Sequence, residues 1–381
     1  MKHPLALFLA LAALAGSLSA QARPVLGALM SDLGDEFVAG YAATLKGLAA
    51  NAEVDLRLLD SRKDQAAQLD HLGALLAQGV KAFVIIPDSP GATEAMAAAI
   101  AARGGGAVFS RFLPTAAALK TGKDFLMVAS PEAGAGALQA DIVDQYFRKS
   151  PKRLGEGKTI SALLLSGQGA DGESQAWAEA LKAGLSAKGY ALAVIATAAA
   201  PAPIAGAVPD TAGAATSPPA DETTAWAKKT MAGWLGAHEG GFNVVIAEDD
   251  SFALGAAAAL LDAGLVDNPQ DLAKDTDGDG TILKFPVLGL GATRAALAAL
   301  SEGKLYATVL RDSAGQAEAA FGLALALAKG SYKAGLAASG LKPETKAGSE
   351  PPLDDPALLG QCYLVPFKAV TRDNYKLFLA K

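Results

Sequence analysis

Residues 25–37, VLGALMSDLGDEF, residues 58–87, LLDSRKDQAAQLDHLGALLAQGVKAFVIIP, and residues 107–114, AVFSRFLP, decide the fold of this chain. Each holds a short apolar run followed by a polar loop, and the first two run on into helical patterns. Near-continuous apolar runs separated by helices describe strands covered on both faces, as in a parallel sheet. The unit recurs along the chain. Strands are predicted at 25–30, 54–59, 82–86, 107–109, 125–128, 160–165, 191–195, 243–247, 285–290 and 306–310. Helical patterns lie between them, at 37–48, 65–76, 175–188, 223–234 and 314–328 among others. This is too many strands for one ordinary open sheet, so the fold class is α/β with two doubly wound parallel-sheet lobes. Ligands of such sheets bind at the carboxyl ends of the strands.

Residues 1–22 read as a secretory signal peptide. Lys2 and His3 give the positive start, residues 5–18 the apolar stretch, and Ala20-Gln21-Ala22 the small-residue cleavage site. The apolar part is shorter than the ~20 residues of a membrane span, and the A-x-A site favours cleavage over an uncleaved anchor. With 51% hydrophobic residues, two cores can form without cross-links. The single cysteine, Cys362, excludes an intramolecular disulfide and reads as a buried strand residue. A net charge of −6 without basic clusters argues against nucleic acid as a partner. Beyond the leader the only histidines are His71 and His238, in no metal-ligand spacing. No G-x-S-x-G elbow, H-E-x-x-H or Walker sequence is present, and Gly104-Gly105-Gly106 precedes a strand rather than opening a helix. An enzyme is therefore not expected.

Four further blocks carry a family resemblance. They are LLAQGVKAFVI at 75–85, FNVVIAEDDSFALGAAAAL at 242–260, LYATVLRDSAGQAEAAFGLALALAKG at 305–330 and YLVPFKAVTRDNYKLF at 363–378. With DSRKDQAAQ at 60–68 they resemble the periplasmic galactose/glucose-binding proteins that feed ABC importers, of the type I periplasmic binding protein class. The resemblance implies two lobes joined by a three-strand hinge near Val128, Leu310 and Gly360. One lobe would be 24–128 plus 310–359 and the other 129–309 plus 360–381, with 197–220 a flexible Ala/Pro-rich insertion. It implies a monomeric periplasmic protein that closes on a small carbohydrate-like ligand and presents it to an inner-membrane ABC permease. A chemoreceptor or sensor reads the same closed form and is the alternative partner; a glycoside-acting enzyme is a third reading.

The resemblance also implies site residues. Asp35 and Phe37 match a hydroxyl-accepting carboxylate and a stacking ring, with a helix cap and a core ring as the alternatives. Arg111, Asp171, Glu173, Trp177, Asp249 and Arg311 fall at other family ligand positions but are different residue types. A family tryptophan falls near Glu222, and a family aspartate becomes Gly291. The arginines either fork onto an anionic sugar, or pair with Asp171, Glu173 or Asp249 around a neutral one.

DTDGDGTI at 275–282 begins like a calcium loop, with Asp275, Asp277 and Asp279 at alternate positions, Gly280 at the sharp turn and the Thr281 carbonyl as a further donor. Pro286 stands where the closing carboxylate would be, so a distant acid must complete the site. The ion, Ca2+, would be structural; a solvated acidic turn is the alternative reading.

Overall fold

The computed structural model describes residues 23–167, 172–200, 220–238, 240–268, 271, 275–276, 278–330, 341–347 and 352–379. Strands β1 (Val25–Met30), β2 (Asp55–Asp60), β3 (Ala82–Ile85), β4 (Gly106–Ser110) and β5 (Phe125–Ala129) come first. They alternate with helices α1 (Glu36–Asn51), α2 (Gln65–Ala77), α3 (Ala92–Ala101) and α4 (Ala116–Lys120). The second lobe comes next, with strands β6 (Thr159–Ser166), β7 (Ala191–Ala199), β8 (Val244–Ala247), β9 (Val287–Leu288) and β10 (Ala307–Leu310). Its helices are α5 (Glu132–Lys149), α6 (Glu173–Ala187), α7 (Ala220–Ala237), α8 (Asp250–Asp262) and α9 (Arg294–Ser301). Then α10 (Ser313–Ala328) and β11 (Cys362–Leu364) return to the first lobe, and β12 (Lys368–Thr371) ends in the second.

The sheets run β11-β5-β4-β3-β1-β2 and β12-β10-β9-β8-β6-β7. Every pairing is parallel except β10 with β12. Along β1, Leu26, Ala28 and Met30 pack towards α1 and α10, while Leu29 packs towards α2 and α3 on the other face. In the second lobe α5 and α6 cover one face, and α7, α8 and α9 the other. This two-sided burial is why the strands carry no polar alternation. In each sheet the order reverses once, between β1 and β3 and between β6 and β8. Ligands of doubly wound sheets enter at such a switch point, beyond the carboxyl ends of the strands.

Three short crossings join the lobes: β5 to α5, β10 to α10, and β11 to β12. The third lies at 365–367, not at Gly360 as expected. Cys362 to Leu364 pair with Met127 to Ala129, so this strand belongs to the first lobe. Two other expectations change. Residues 197–199 of the expected insertion continue β7, and Ala200 is buried; residues 201–219 lie outside the described residues. The strand expected at 285–290 shrinks to Val287–Leu288. Beyond it Gly289 N and Gly291 N still donate to Ala307 O and Val309 O of β10, while a Cβ at Gly289 would come 2.3 Å from Asp250 Oδ1. Cys362 is fully buried, and burial pushes its thiol up to about 12. The expected signal peptide, residues 1–22, lies outside the described residues.

Candidate ligand cleft

The cleft is built from the residues just past the carboxyl end of each strand. After β1, Asp35 caps α1: its Oδ1 accepts from Val38 N at 2.9 Å. The same carboxylate faces the cleft, with Oδ2 3.9 Å from Arg111 Nη2. Asp35 thus caps α1 and at the same time faces Arg111. Arg111 comes after β4 with φ +75°, a left-handed conformation that costs a non-glycine residue about 1 kcal/mol or more. Its guanidinium lies 4.8 Å from the Phe37 ring centroid and 5.2 Å from that of Phe112. Phe37 also stacks on Tyr41 at 6.1 Å, and the buried Tyr41 hydroxyl donates to Ser110 at 2.8 Å. The ring expected to cover a sugar is thus in contact with a cation, an arrangement favoured by its quadrupole.

In the second lobe, Glu173 opens α6 after β6, and Asp249 caps α8 after β8, its Oδ1 accepting from Ser251 N at 2.7 Å. Beside Asp249, Glu248 accepts from Gly167 N and from the Ser174 hydroxyl, both at 2.8 Å. Burial raises the Glu248 pKa above its ordinary value despite these bonds. Asp171 lies outside the described residues.

Trp177 does not reach the cleft. It is 1% exposed, one turn deeper in α6, and its Nε1 donates to Gln139 Oε1 at 2.7 Å. Gln139 in turn donates to Ala247 O and Gly289 O, both at 2.9 Å, so the tryptophan braces the sheet. Glycines let α5 and α6 come close enough for this: a Cβ at Gly136 would sit 2.1 Å from Trp177 O. The aromatic reading of Trp177 as a ligand contact is therefore corrected to a core role. Trp226 and Trp234 also belong to the second lobe, packed against the core beneath α7 and α8. Glu222 is exposed on α7.

Arg311 leaves β10 into the hinge. It pairs with Glu132, which opens α5, and its Nη1 donates to Ser130 O at 3.4 Å. Phe367, on the third crossing, lies 5.2 Å from the guanidinium. Burial opposes the Arg311 charge most strongly, but Glu132, with Glu173 and Asp249, outweighs it and raises the pKa. Asp171, Glu173 and Asp249 were expected as pairing partners of the arginines; among the described residues the ion pair of Arg311 is with Glu132, and Asp171 lies outside them. The opposite holds at Arg111, where burial and then Arg311 push the pKa down. Glu173 and Glu132 act on both arginines, which gathers these side chains around one space between the lobes. The lobes also meet at the rim, where Arg294 N donates to Glu36 Oε1 at 3.1 Å.

A match to the periplasmic binding protein domain spans residues 26–331. The chain belongs to this family. A D-galactose/methyl-galactoside binding periplasmic protein of Haemophilus influenzae is 24% identical over 327 residues, 86% of this chain and 82% of that one. A putative rhizopine-binding protein of Rhizobium meliloti is 28% identical over 317 residues, 80% and 84% of the two chains. Among solved structures, an ABC transporter solute binding protein of Bacillus halodurans with bound myo-inositol superposes with a TM-score of 0.63 at 20% identity, covering 94% of this chain and 98% of that one. One of Actinobacillus succinogenes with bound D-allose gives 0.65 at 16% identity, covering 93% and 100%.

Other features of this periplasmic binding protein lie away from the cleft. A cavity of about 350 Å³ lined by Arg153, Asn243, Lys284 and Phe285 opens at the amino ends of the second lobe's strands. Nearby, Asp275 and Asp279 come together with Asp267, their oxygens within 4.8 Å of one another. Asp267 is an acid from outside the 275–282 loop that joins this cluster. Asp277 lies outside the described residues. Asp279 already accepts from Tyr146 Oη at 2.7 Å and pairs with Arg153 at 3.0 Å, while the Thr281 hydroxyl donates to Gly303 O. Asp275 turns back on its own loop, accepting from Gly278 N and Gly280 N.

Sequence reasoning missed Glu132, Glu248 and Ser174. Glu248 adjoins Asp249 in IAEDD, so its position after a strand was a usable signal. Glu132 had only its place on a crossing to recommend it.

Proposed function

We propose that this protein captures, in the periplasm, a small polyhydroxylated solute, a monosaccharide or cyclitol, between its lobes and hands it to an ABC permease of the inner membrane. The observation that supports this best is the meeting of hydrogen-bonding side chains from the carboxyl ends of both sheets, Asp35 and Arg111 from one lobe and Glu173, Glu248 and Asp249 from the other. Carboxylates accept from vicinal hydroxyls and guanidiniums donate to hydroxyl oxygens, so the pair reads a polyol from two sides. The galactoside-binding relative and the structures holding myo-inositol and D-allose lend the ligand class. The two lobes hinge on three crossings, the arrangement that closes around ligands in periplasmic binding proteins. Cleavage of residues 1–22, a monomeric state and a purely binding, non-catalytic role belong to the same proposal. A chemoreceptor or sensor is the alternative reader of the closed form.

A structural calcium ion at Asp267, Asp275 and Asp279 is also proposed. The clustering of three acids supports it, although Arg153 already lends positive charge to Asp279. The test of the main reading is a thermal-shift screen with hexoses, pentoses and inositols. A ligand that binds only the folded state raises the melting temperature, whereas no shift with any polyol would refute the reading.

A further inference from the structure

The charges of the cleft do not balance. The guanidiniums of Arg111 and Arg311 share it with the carboxylates of Asp35, Glu132, Glu173, Glu248 and Asp249. Each arginine already has an acid of the protein: Arg311 pairs with Glu132, and Arg111 with Asp35. Glu248 and Asp249 are different. Among the described residues, Glu248 accepts from a backbone amide and a serine hydroxyl, and Asp249 from a backbone amide, and neither forms an ion pair. Both stand at the β6/β8 switch point, where a ligand enters. Further acid lies across the cleft, where Asp88 comes after β3 at the same sheet edge as Asp35.

An anionic ligand would enter a site of its own sign and would have to displace Glu132 or Asp35 to gain an arginine. A neutral polyol would close the lobes over two carboxylates whose nearby cation, Arg311, is already paired with Glu132, and charge buried without a partner of its own is costly. A ligand with an ammonium group supplies a further cation. We propose that the cleft prefers a polyol bearing a protonated amine, an amino sugar or aminocyclitol, and that Glu248 and Asp249 are the residues that select it. Burial raises the Glu248 pKa even though Arg311 acts against it, as expected of a carboxylate without an ion-pair partner. The inference rests on the polyol reading and narrows it.

The test is calorimetric titration of the protein at pH 7 with matched pairs: glucosamine and glucose, galactosamine and galactose, an aminodeoxy-inositol and myo-inositol, with galacturonate alongside. In at least one pair the amine should bind about tenfold more tightly than its hydroxyl parent. Either Glu248→Gln or Asp249→Asn should shrink that preference to below about threefold; Asn can still cap α8, so the second variant guards against a folding defect. Parents that bind as well as their amines would overturn the amine preference and leave the polyol reading standing. Tightest binding of galacturonate would overturn it in favour of anion recognition by the arginines. Silence across the whole panel would sink the polyol reading and the inference together.

Discussion

Arg311 and Glu132 join two of the three crossings between the lobes through one buried ion pair, 179 residues apart in sequence. Because Glu132 opens α5 and Arg311 precedes α10, the pair lies where closure bends the chain. Both side chains are largely out of solvent, at 6% and 13% exposed, so losing either partner leaves a buried charge. Arg311→Ala is expected to cost on the order of 3 kcal/mol of stability in urea unfolding, as well as ligand affinity. Combining it with Glu132→Gln should recover part of the stability. Full additivity of the two substitutions would show that the pair is not coupled.

Trp177→Phe should leave ligand affinity unchanged, because the indole lies inside α6 and not in the cleft. It removes the donor to Gln139 and should cost about 1–2 kcal/mol, read as a lower denaturation midpoint at constant slope. A large drop in affinity with normal stability would return this residue to the ligand.

Asp250 is expected to make the stability of the protein pH-dependent. It is fully buried, and burial raises its pKa to about 7 despite a hydrogen bond from Thr308 at 2.6 Å and another from Thr293 N at 2.8 Å. The folded-state pKa stands above the unfolded value, so the stabilisation is complete below about pH 4 and is lost as pH rises through about 7. Asp88, raised to about 6, adds a smaller loss in the same direction. Urea midpoints should therefore fall between pH 5 and pH 8, by the equivalent of a few kcal/mol at most. Asp250→Asn should flatten that slope; an unchanged slope would assign it to other groups.

Calcium should raise the melting temperature and a chelator should reverse the rise, with Asp275→Asn abolishing both effects. An identical melting curve with and without calcium would leave Arg153 as the cation that serves this loop.

Much of this was legible in the sequence because strand and cap signals are local. Asp35, Asp64 and Asp249 all cap the helices that follow them, as their positions after apolar runs suggest. The placing of residues such as Arg111 just past a strand was legible as well, since apolar runs fix the strand ends. What escaped depended on tertiary contact. The partner of Arg311 could not be read from a sequence that offers many acids at equal distance. Trp177 fits a core as readily as a sugar face, and only the Gly136 contact with α6 decides between them. Gly360 resembles a hinge residue, yet the pairing of Cys362 with Met127 carries the chain past it before the crossing.

The placement of the tryptophans has a practical consequence. Trp177, Trp226 and Trp234 are the three tryptophans of the chain, and all three lie in the second lobe. Intrinsic fluorescence excited at the indole band therefore reports on one lobe alone, while circular dichroism sees both. If the two signals trace one unfolding curve, the lobes melt as a single cooperative unit; if they separate, the fluorescence transition belongs to the second lobe, and the remainder dates the loss of the first.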